Sequence, residues 1–181
     1  MSILKGKSVS YLGLCLGVLL LTSCSTQPTM KMVDYVDLKR FMGDWYVIAN
    51  IPTVFEKGAH NAIESYSLND KGKVETTFTF RANSFNGKQK SYKLLGFVRD
   101  TVTNAIWGMQ FIWPFKSDYR IVFLNEDYTQ VVVARQALDY VWIMARDSAL
   151  SDSDYLQLKS FVAELGYDDT KLVKVPQNWD S

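Results

Sequence analysis

Cysteine is nearly missing from this chain: Cys15 and Cys24 are the only two in 181 residues. A disulfide framework is therefore excluded. Histidine is scarcer still, with His60 alone. No Gly-x-Ser-x-Gly elbow, Cys/His pair or cluster of metal ligands occurs, so the usual sequence signs of nucleophilic or metal-assisted catalysis are lacking. There is no basic stripe or lysine run, which argues against nucleic acid as a partner. No internal repeat, low-complexity tract or second domain is visible. The one long apolar run, Leu12 to Leu21, is too short for a comfortable membrane span.

What is present is apolar and aromatic. Hydrophobic residues make up 48% of the chain, charged residues 22% and aromatics 14%. That is the profile of one globular domain with a sizeable core, and the aromatics suit strands and apolar pockets.

The N-terminus reads as an address. Lys5 and Lys7 precede the apolar run, which ends in Leu21-Thr22-Ser23-Cys24. This resembles the bacterial lipobox, in which two small residues admit the signal peptidase and the cysteine receives diacylglycerol on its sulfur and, after cleavage, a further acyl chain such as palmitate. Residues 1–23 are thus expected to be a signal peptide and 24–33 a lipidated tether, with the domain over 34–181. An ordinary secretory signal with an incidental cysteine is the plainer alternative. Ser25, rather than aspartate, follows Cys24, which in the enteric sorting rule implies the outer membrane, facing the periplasm. Removal of Lys5 and Lys7 leaves 18 basic against 19 acidic residues, a net charge of −1.

The mature chain reads as strands. After a helical turn over Val36 to Met42, Gly43-Asp44-Trp45-Tyr46 enters the first of eight, at about 45–50, 62–68, 73–81, 91–99, 106–112, 119–124, 129–136 and 140–146. Turn signals separate them, as in Asn69-Asp70-Lys71-Gly72, and no helix-length pattern intervenes. The sheet should be antiparallel with sequential neighbours paired. It either stacks as a sandwich or closes as an up-and-down barrel, and closure removes exposed edges.

Charge phase assigns the faces. Val74, Thr76, Phe78 and Phe80 oppose Glu75 and Arg81. Tyr92, Leu94 and Val98 oppose Lys93 and Arg99. Trp107, Met109 and Phe111 form one set, and Tyr119, Ile121 and Phe123 oppose Arg120. The eighth strand is apolar on both faces, so a second layer must cover it. Ser151 with Asp154 makes an acidic capping box, and Leu158, Phe161, Val162 and Leu165 follow at helical spacing up to Gly166. One helix over about 152–165 should pack outside the barrel. Leu172 to Val175 would add a short ninth strand.

This pattern resembles a lipocalin across the whole mature chain, and in particular the bacterial outer-membrane lipocalins and their animal relatives of the apolipoprotein D type. The resemblance rests on Asp37 through Tyr46, on Ile51-Pro52-Thr53-Val54-Phe55-Glu56-Lys57-Gly58, on Tyr66-Ser67-Leu68 and on Tyr140 through Arg146. It implies an eight-stranded antiparallel up-and-down barrel with one C-terminal helix outside. Gly43, Trp45 and Arg146 become structural, with Arg146 reaching across the Trp45 ring at the closed end. The family's middle motif is altered here to Leu124-Asn125-Glu126-Asp127-Tyr128.

The resemblance also implies a binding protein rather than an enzyme, with no cofactor, taking fatty acids or lysophospholipids for storage or transport in membrane upkeep. The expected lining is Tyr66, Phe78, Phe80, Trp107, Met109, Phe111, Tyr119 and Trp142. A barrel simply filled by these aromatics, serving as a structural or interaction module, is the rival. Glu64 is in phase with Tyr66 and Leu68 and so points inward. It either sits solvated at the mouth, meets a cationic headgroup, or is protonated by burial. The loops opposite Trp45 carry Phe55, Phe85, Trp113 and Phe115, which serve as ligand portal, membrane contact or homodimer contact, or else fold in to cap the barrel.

Overall fold

The structure, a computed structural model, describes residues 30–179. Cys24, the expected signal peptide and most of the expected tether lie outside the described residues. The remainder of the tether, 30–33, already lies against the barrel: Met30 is buried and the Val33 amide donates to the Ile121 carbonyl at 3.1 Å.

A one-turn helix, α1 (Leu38–Phe41), is capped by the Asp37 carboxylate. Eight strands follow: β1 (Gly43–Ile51), β2 (Ala59–Leu68), β3 (Val74–Ala82), β4 (Gln89–Val98), β5 (Ile106–Gln110), β6 (Ser117–Leu124), β7 (Gln130–Ala134) and β8 (Val141–Ala145). Then come α2 (Asp152–Glu164), a short 3-10 turn at Asp169–Lys171 and β9 (Val173–Lys174). Every pairing is antiparallel: consecutive strands from β1 to β8 pair in turn, β1 also pairs with β8, which closes the barrel, and β9 pairs with β1. With no free edge among β1 to β8, the up-and-down barrel expected from the sequence forms.

Closure depends on a bend in β1. Its first half, from Gly43 to Tyr46, pairs with β2, while Ala49 and Asn50 pair with β9. A bulge between Val47 and Ala49 separates the two halves. Where β1 and β2 diverge, the C-terminal segment fills the seam. Gln177 Nε2 donates to the Val47 and Ala62 carbonyls at 2.8 and 3.2 Å, and the Asn61 amide donates to the Pro176 carbonyl at 2.9 Å.

The bulges sort side chains into two cores. Inside the barrel lie Trp45, Val47, Phe78, Trp107, Ile121 and Met144, among others. Outside, Ala49, Ile51, Val132, Val141 and Ile143 pack under Leu158 and Val162 of α2. Phe123 corrects the sequence reading. A register shift between Ile121 and Phe123 reverses its phase, and its ring lies 5.7 Å from that of Phe161 on α2 instead of inside.

The end where β1 begins is plugged. Trp45 is fully buried against Phe41, and its indole N–H donates to the Phe41 carbonyl at 2.8 Å. The Arg146 guanidinium carbon sits 3.9 Å from the Trp45 ring centroid. Its nitrogens donate to the carbonyls of Arg40, Phe41, Met42 and Asp44 at 2.7–3.0 Å, and to Tyr128 at 3.3 Å. Three of these acceptors are carbonyls at the end of α1 that the helix itself leaves unpaired. Gly43 is required here: its φ is +96°, and a Cβ would stand 3.2 Å from the Arg146 guanidinium. In the altered middle motif, Tyr128 keeps a link to this end, since its hydroxyl accepts from the Asp37 amide at 2.8 Å and its ring lies beneath Arg40 at 4.0 Å.

Arg146→Ala should lower unfolding free energy by about 2–4 kcal/mol, because charged hydrogen bonds and the ring contact go together. Arg146→Lys should recover less than half of that, since one ammonium cannot reach so many acceptors. Urea denaturation of the soluble domain measures both, and full rescue by lysine would contradict the assignment.

Candidate functional site

Strand polarity gives the barrel two ends. β1 starts, and β2 finishes, beside Trp45 and Arg146. The loops over 52–58, 83–88, 111–116 and 135–140 therefore surround the opposite end. Above the Trp45 plug lies an aromatic floor. Phe41, Tyr66 and Trp107 meet edge to face, and Trp107 stacks on Tyr119 with centroids 5.1 Å apart and planes 9° from parallel. The Trp107 indole N–H is satisfied by the Asn104 carbonyl at 2.7 Å.

Above that floor the barrel is not filled. A cavity of about 300 Å³ opens between the walls, at the small end of the range for ligand sites. Phe78 and Leu94, Met109 and Phe111, and Trp142 supply apolar wall. At the mouth Phe55 lies 5.4 Å from Phe111 and 6.2 Å from Tyr92, ring to ring, so the 52–58 loop partly roofs the opening. Arg135 and Tyr140 border the opposite rim. Tyr167 fixes that rim: its hydroxyl accepts from the Arg135 amide at 2.9 Å and donates to the Tyr140 carbonyl at 2.8 Å. A larger cleft, about 460 Å³, lies on the outer surface beside Asn61, Thr79, Arg81, Asn86 and Asn178. It is polar and solvent-facing, so the interior cavity is the better candidate for an apolar ligand.

Polar groups converge on the cavity at two depths. The Tyr66 hydroxyl donates to the Glu64 carboxylate and lies 2.7 Å from the Tyr119 hydroxyl. Glu64 is partly exposed because it opens on the cavity, but it does so deep inside the barrel, opposite Trp45. Burial away from water pushes its pKa up to about 7; the Tyr66 hydrogen bond opposes that rise and the negative charge of Glu56 adds to it. Thr76 is buried on the same wall, and its hydroxyl has no protein partner. Higher up, Glu56 turns inward from the loop. Its carboxylate accepts from the Thr53 amide at 2.9 Å and from Asn50 Nδ2 and the Trp142 indole N–H, each at 3.2 Å. Burial raises its pKa too, against those donors.

Of the residues singled out from the sequence, Phe78, Met109, Phe111, Tyr119, Trp142 and Glu64 border the cavity. Tyr66, Phe80 and Trp107 do not. Tyr66 and Trp107 form the floor beneath it, and Phe80 packs between Phe78 and Tyr92. Sequence reasoning missed Glu56, Thr76 and Arg135 as site groups. Thr76 was in phase with Phe78 and could have been noticed. Glu56 and Arg135 lie in loops, where no periodicity tells direction. Among the described residues no cluster of His, Cys, Asp or Glu could hold a metal ion.

Comparison with known proteins places this geometry. Residues 36–177 match the family model of the lipocalin-like domain. The outer membrane lipoprotein Blc of Citrobacter freundii is 30% identical over 161 residues, covering 87% of this chain and 90% of that protein. Apolipoprotein D of Mus musculus is 27% identical over 159 residues, covering 83% and 82%. The structure of insecticyanin from the tobacco hornworm superposes with a TM-score of 0.65 at 15% identity, covering 85% of this chain and 86% of that one, a likeness of fold.

Glu64 makes stability depend on pH. Its carboxyl moves from an ordinary value of 4.5 when unfolded to about 7 when folded. The folded state therefore holds the proton more tightly; that contribution is full below 4.5 and lost as pH rises through 7. Unfolding free energy should fall by on the order of 2–3 kcal/mol across this window, beyond what other groups contribute. Glu64→Gln should flatten that fall, read by urea denaturation at pH 5 and pH 8. An unchanged pH slope in the variant would refute the buried, proton-holding Glu64.

Proposed function

The chain belongs to the lipocalin family, and on that premise we propose that its barrel takes up single-chain lipids, fatty acids or lysophospholipids, at the surface of the bacterial outer membrane. The observation that carries this reading is the 300 Å³ cavity above the aromatic floor, walled by Phe78, Leu94, Met109, Phe111 and Trp142. An acyl chain entering it gains about 0.8 kcal/mol per buried methylene. Arg135 at the rim suits a carboxylate or phosphate left at the mouth. A catalytic role has little support: the neighbours of Glu64 are two tyrosines and another carboxylate, with no base to pair with it.

The membrane part of the proposal rests on where the chain emerges. The Met30 amide donates to Gln136 Oε1 at 3.1 Å, within the loop at the mouth. From there the chain runs down the wall to Val36, whose amide reaches the Thr103 carbonyl at the closed end. Cys24 is only six residues before Met30, so lipids on Cys24 would hold the mouth within about 20 Å of the bilayer. On that rim Ile112, Trp113 and Phe115 are 61%, 81% and 75% exposed. Phe85 instead packs on His60, ring centroids 5.0 Å apart, and Phe55 covers the opening. The name of the Citrobacter relative, an outer membrane lipoprotein, supports the same location. An interaction module whose cavity carries no lipid cargo is the rival reading, and a homodimer through the rim is the rival to membrane contact.

The soluble domain, stripped of lipid, should bind a fluorescent fatty acid saturably, and Phe111→Asp should weaken it at least about tenfold. Phe111 is the position to change because it is 40% exposed, whereas a charge at fully buried Trp107 would unfold the floor. Absence of saturable binding would favour the interaction module without cargo.

The soluble domain should also associate with phosphatidylethanolamine–phosphatidylglycerol vesicles, with a blue shift of Trp113 emission, and a Trp113→Ser, Phe115→Ser double variant should lose most of that association. Unchanged association in the variant, or a rim-dependent dimer by sedimentation, would replace membrane contact. Labelled palmitate should enter the full-length chain in a lipoprotein-processing host and be lost in Cys24→Ser.

A further inference from the structure

An acyl chain that ended in a plain methyl would meet the wrong chemistry at the bottom of this cavity. The walls are apolar, but the deepest exposed groups are not. Tyr66 stands opposite Gly43 at the closed end of β1, Glu64 stands opposite Trp45, and Thr76 is paired with Tyr66 on β3. Glu64, Thr76 and Tyr119 therefore form one polar patch just above the Phe41–Tyr66–Trp107 floor, and all three border the cavity.

The patch is short of partners. Tyr66 makes the only hydrogen bond to the Glu64 carboxyl among the described residues, and it also spends its hydroxyl on Tyr119. Thr76 is 2% exposed, and its hydroxyl has neither a protein donor nor a protein acceptor. Buried polar groups in folded proteins are almost always satisfied, so an orphan hydroxyl on a residue that borders the cavity points to what the cavity holds. At the other pole Arg135 borders the mouth; Asp139 engages one of its nitrogens at 3.3 Å, and its buried Nε–H has no acceptor.

We propose that the cargo is a hydroxylated fatty acid, lying with its carboxylate at Arg135 and a hydroxyl far along the chain among Thr76, Glu64 and Tyr119. This rests on the reading of the barrel as a single-chain lipid carrier and specifies its ligand. The hydroxyl donates to the Glu64 carboxyl and accepts from Thr76, which satisfies both wall groups and itself. The apolar stretch between is matched by Phe78, Leu94 and Met109. A chain ending in a methyl leaves Thr76 unpaired and sets hydrocarbon against a carboxyl group. A ligand that entered carboxylate-first would set two carboxyl groups side by side, where both cannot ionise.

Competition against a bound fluorescent fatty acid tests this with three probes of one length: dodecanoate, ω-hydroxydodecanoate and dodecanol. A purely apolar cavity favours dodecanoate over its ω-hydroxy form by roughly tenfold to a hundredfold, since an unpaired hydroxyl is costly to bury. The expected result is the reverse, with ω-hydroxydodecanoate the tighter by about tenfold. Thr76→Val, nearly the same shape, should remove that preference, read as the ratio of the two acids' affinities. Arg135→Gln should weaken both acids relative to dodecanol. If dodecanoate binds as tightly as its ω-hydroxy form or tighter, the polar floor is not a ligand site, although lipid carriage stands. If the preference survives in both Thr76→Val and Glu64→Gln, the hydroxyl is read elsewhere and the proposal fails. If none of the three probes competes, the carrier reading fails with it.

Discussion

The Arg146 guanidinium ties together three segments: the end of α1, the start of β1 and the turn between β6 and β7. Without it the Met42 carbonyl would lose its donor and the Phe41 carbonyl would keep only the Trp45 indole N–H, and so short a helix has no cooperative stability of its own. The cation also needs a counterweight, since burial lowers its pKa while Asp44 raises it. The Trp45 ring supplies part of that, presenting its negative face at 3.9 Å. Fixing Trp45 in turn fixes Phe41, and through it Tyr66 and Trp107. The depth at which the barrel stops being solid is thus set from below.

From above, the limit is set by bulges. Eight strands around one axis leave room for side chains or for one small ligand, and which of the two results depends on who points inward. The shift in β1 turns Asn50 inward and Ala49 and Ile51 outward; the shift in β6 sends Phe123 to α2. The first takes apolar side chains out of the upper barrel; the second acts near the closed end, one residue before the turn that Arg146 binds. Asn50 then serves as a donor to Glu56, which holds the 52–58 loop folded over the mouth. The β1 bulge that opens the upper barrel, together with the β6 shift, provides part of the outer face that α2 covers.

Period-two alternation made most of this legible. It located the strands, chose the inward face of β3, β4 and β5, and required an outer layer on β8. Where alternation holds, as at Phe78 and Met109, the inward residue can be named from the sequence alone. It fails at Phe123 because a bulge inserts one residue and leaves no mark in composition. It is silent on Glu56 and Arg135 because loops have no period. The void was equally illegible: large aromatics on every wall would suit a filled barrel, and only their packing shows that Phe41, Tyr66 and Trp107 close up low. The signal-like N-terminus has a different standing, since residues 1–23 and Cys24 are read from sequence and lie outside the described fold.

The polar layer above the floor is hard to justify by stability alone. A leucine or methionine at Glu64 and a valine at Thr76 would continue the apolar core without strain, and such replacements are often neutral or stabilising. Leaving the Thr76 hydroxyl unpaired costs about 1–3 kcal/mol, and a carboxyl group held near pH 7 costs more whenever it ionises. The contrast with Glu56 is informative, because there the chain supplies three donors to a buried carboxylate. One acidic side chain is fully served by protein; the other, deeper and facing the void, is not. A fold that satisfies its structural carboxylate so completely, and leaves a hydroxyl and a carboxyl short of partners in its cavity, has the form of a site whose missing partners arrive with the ligand.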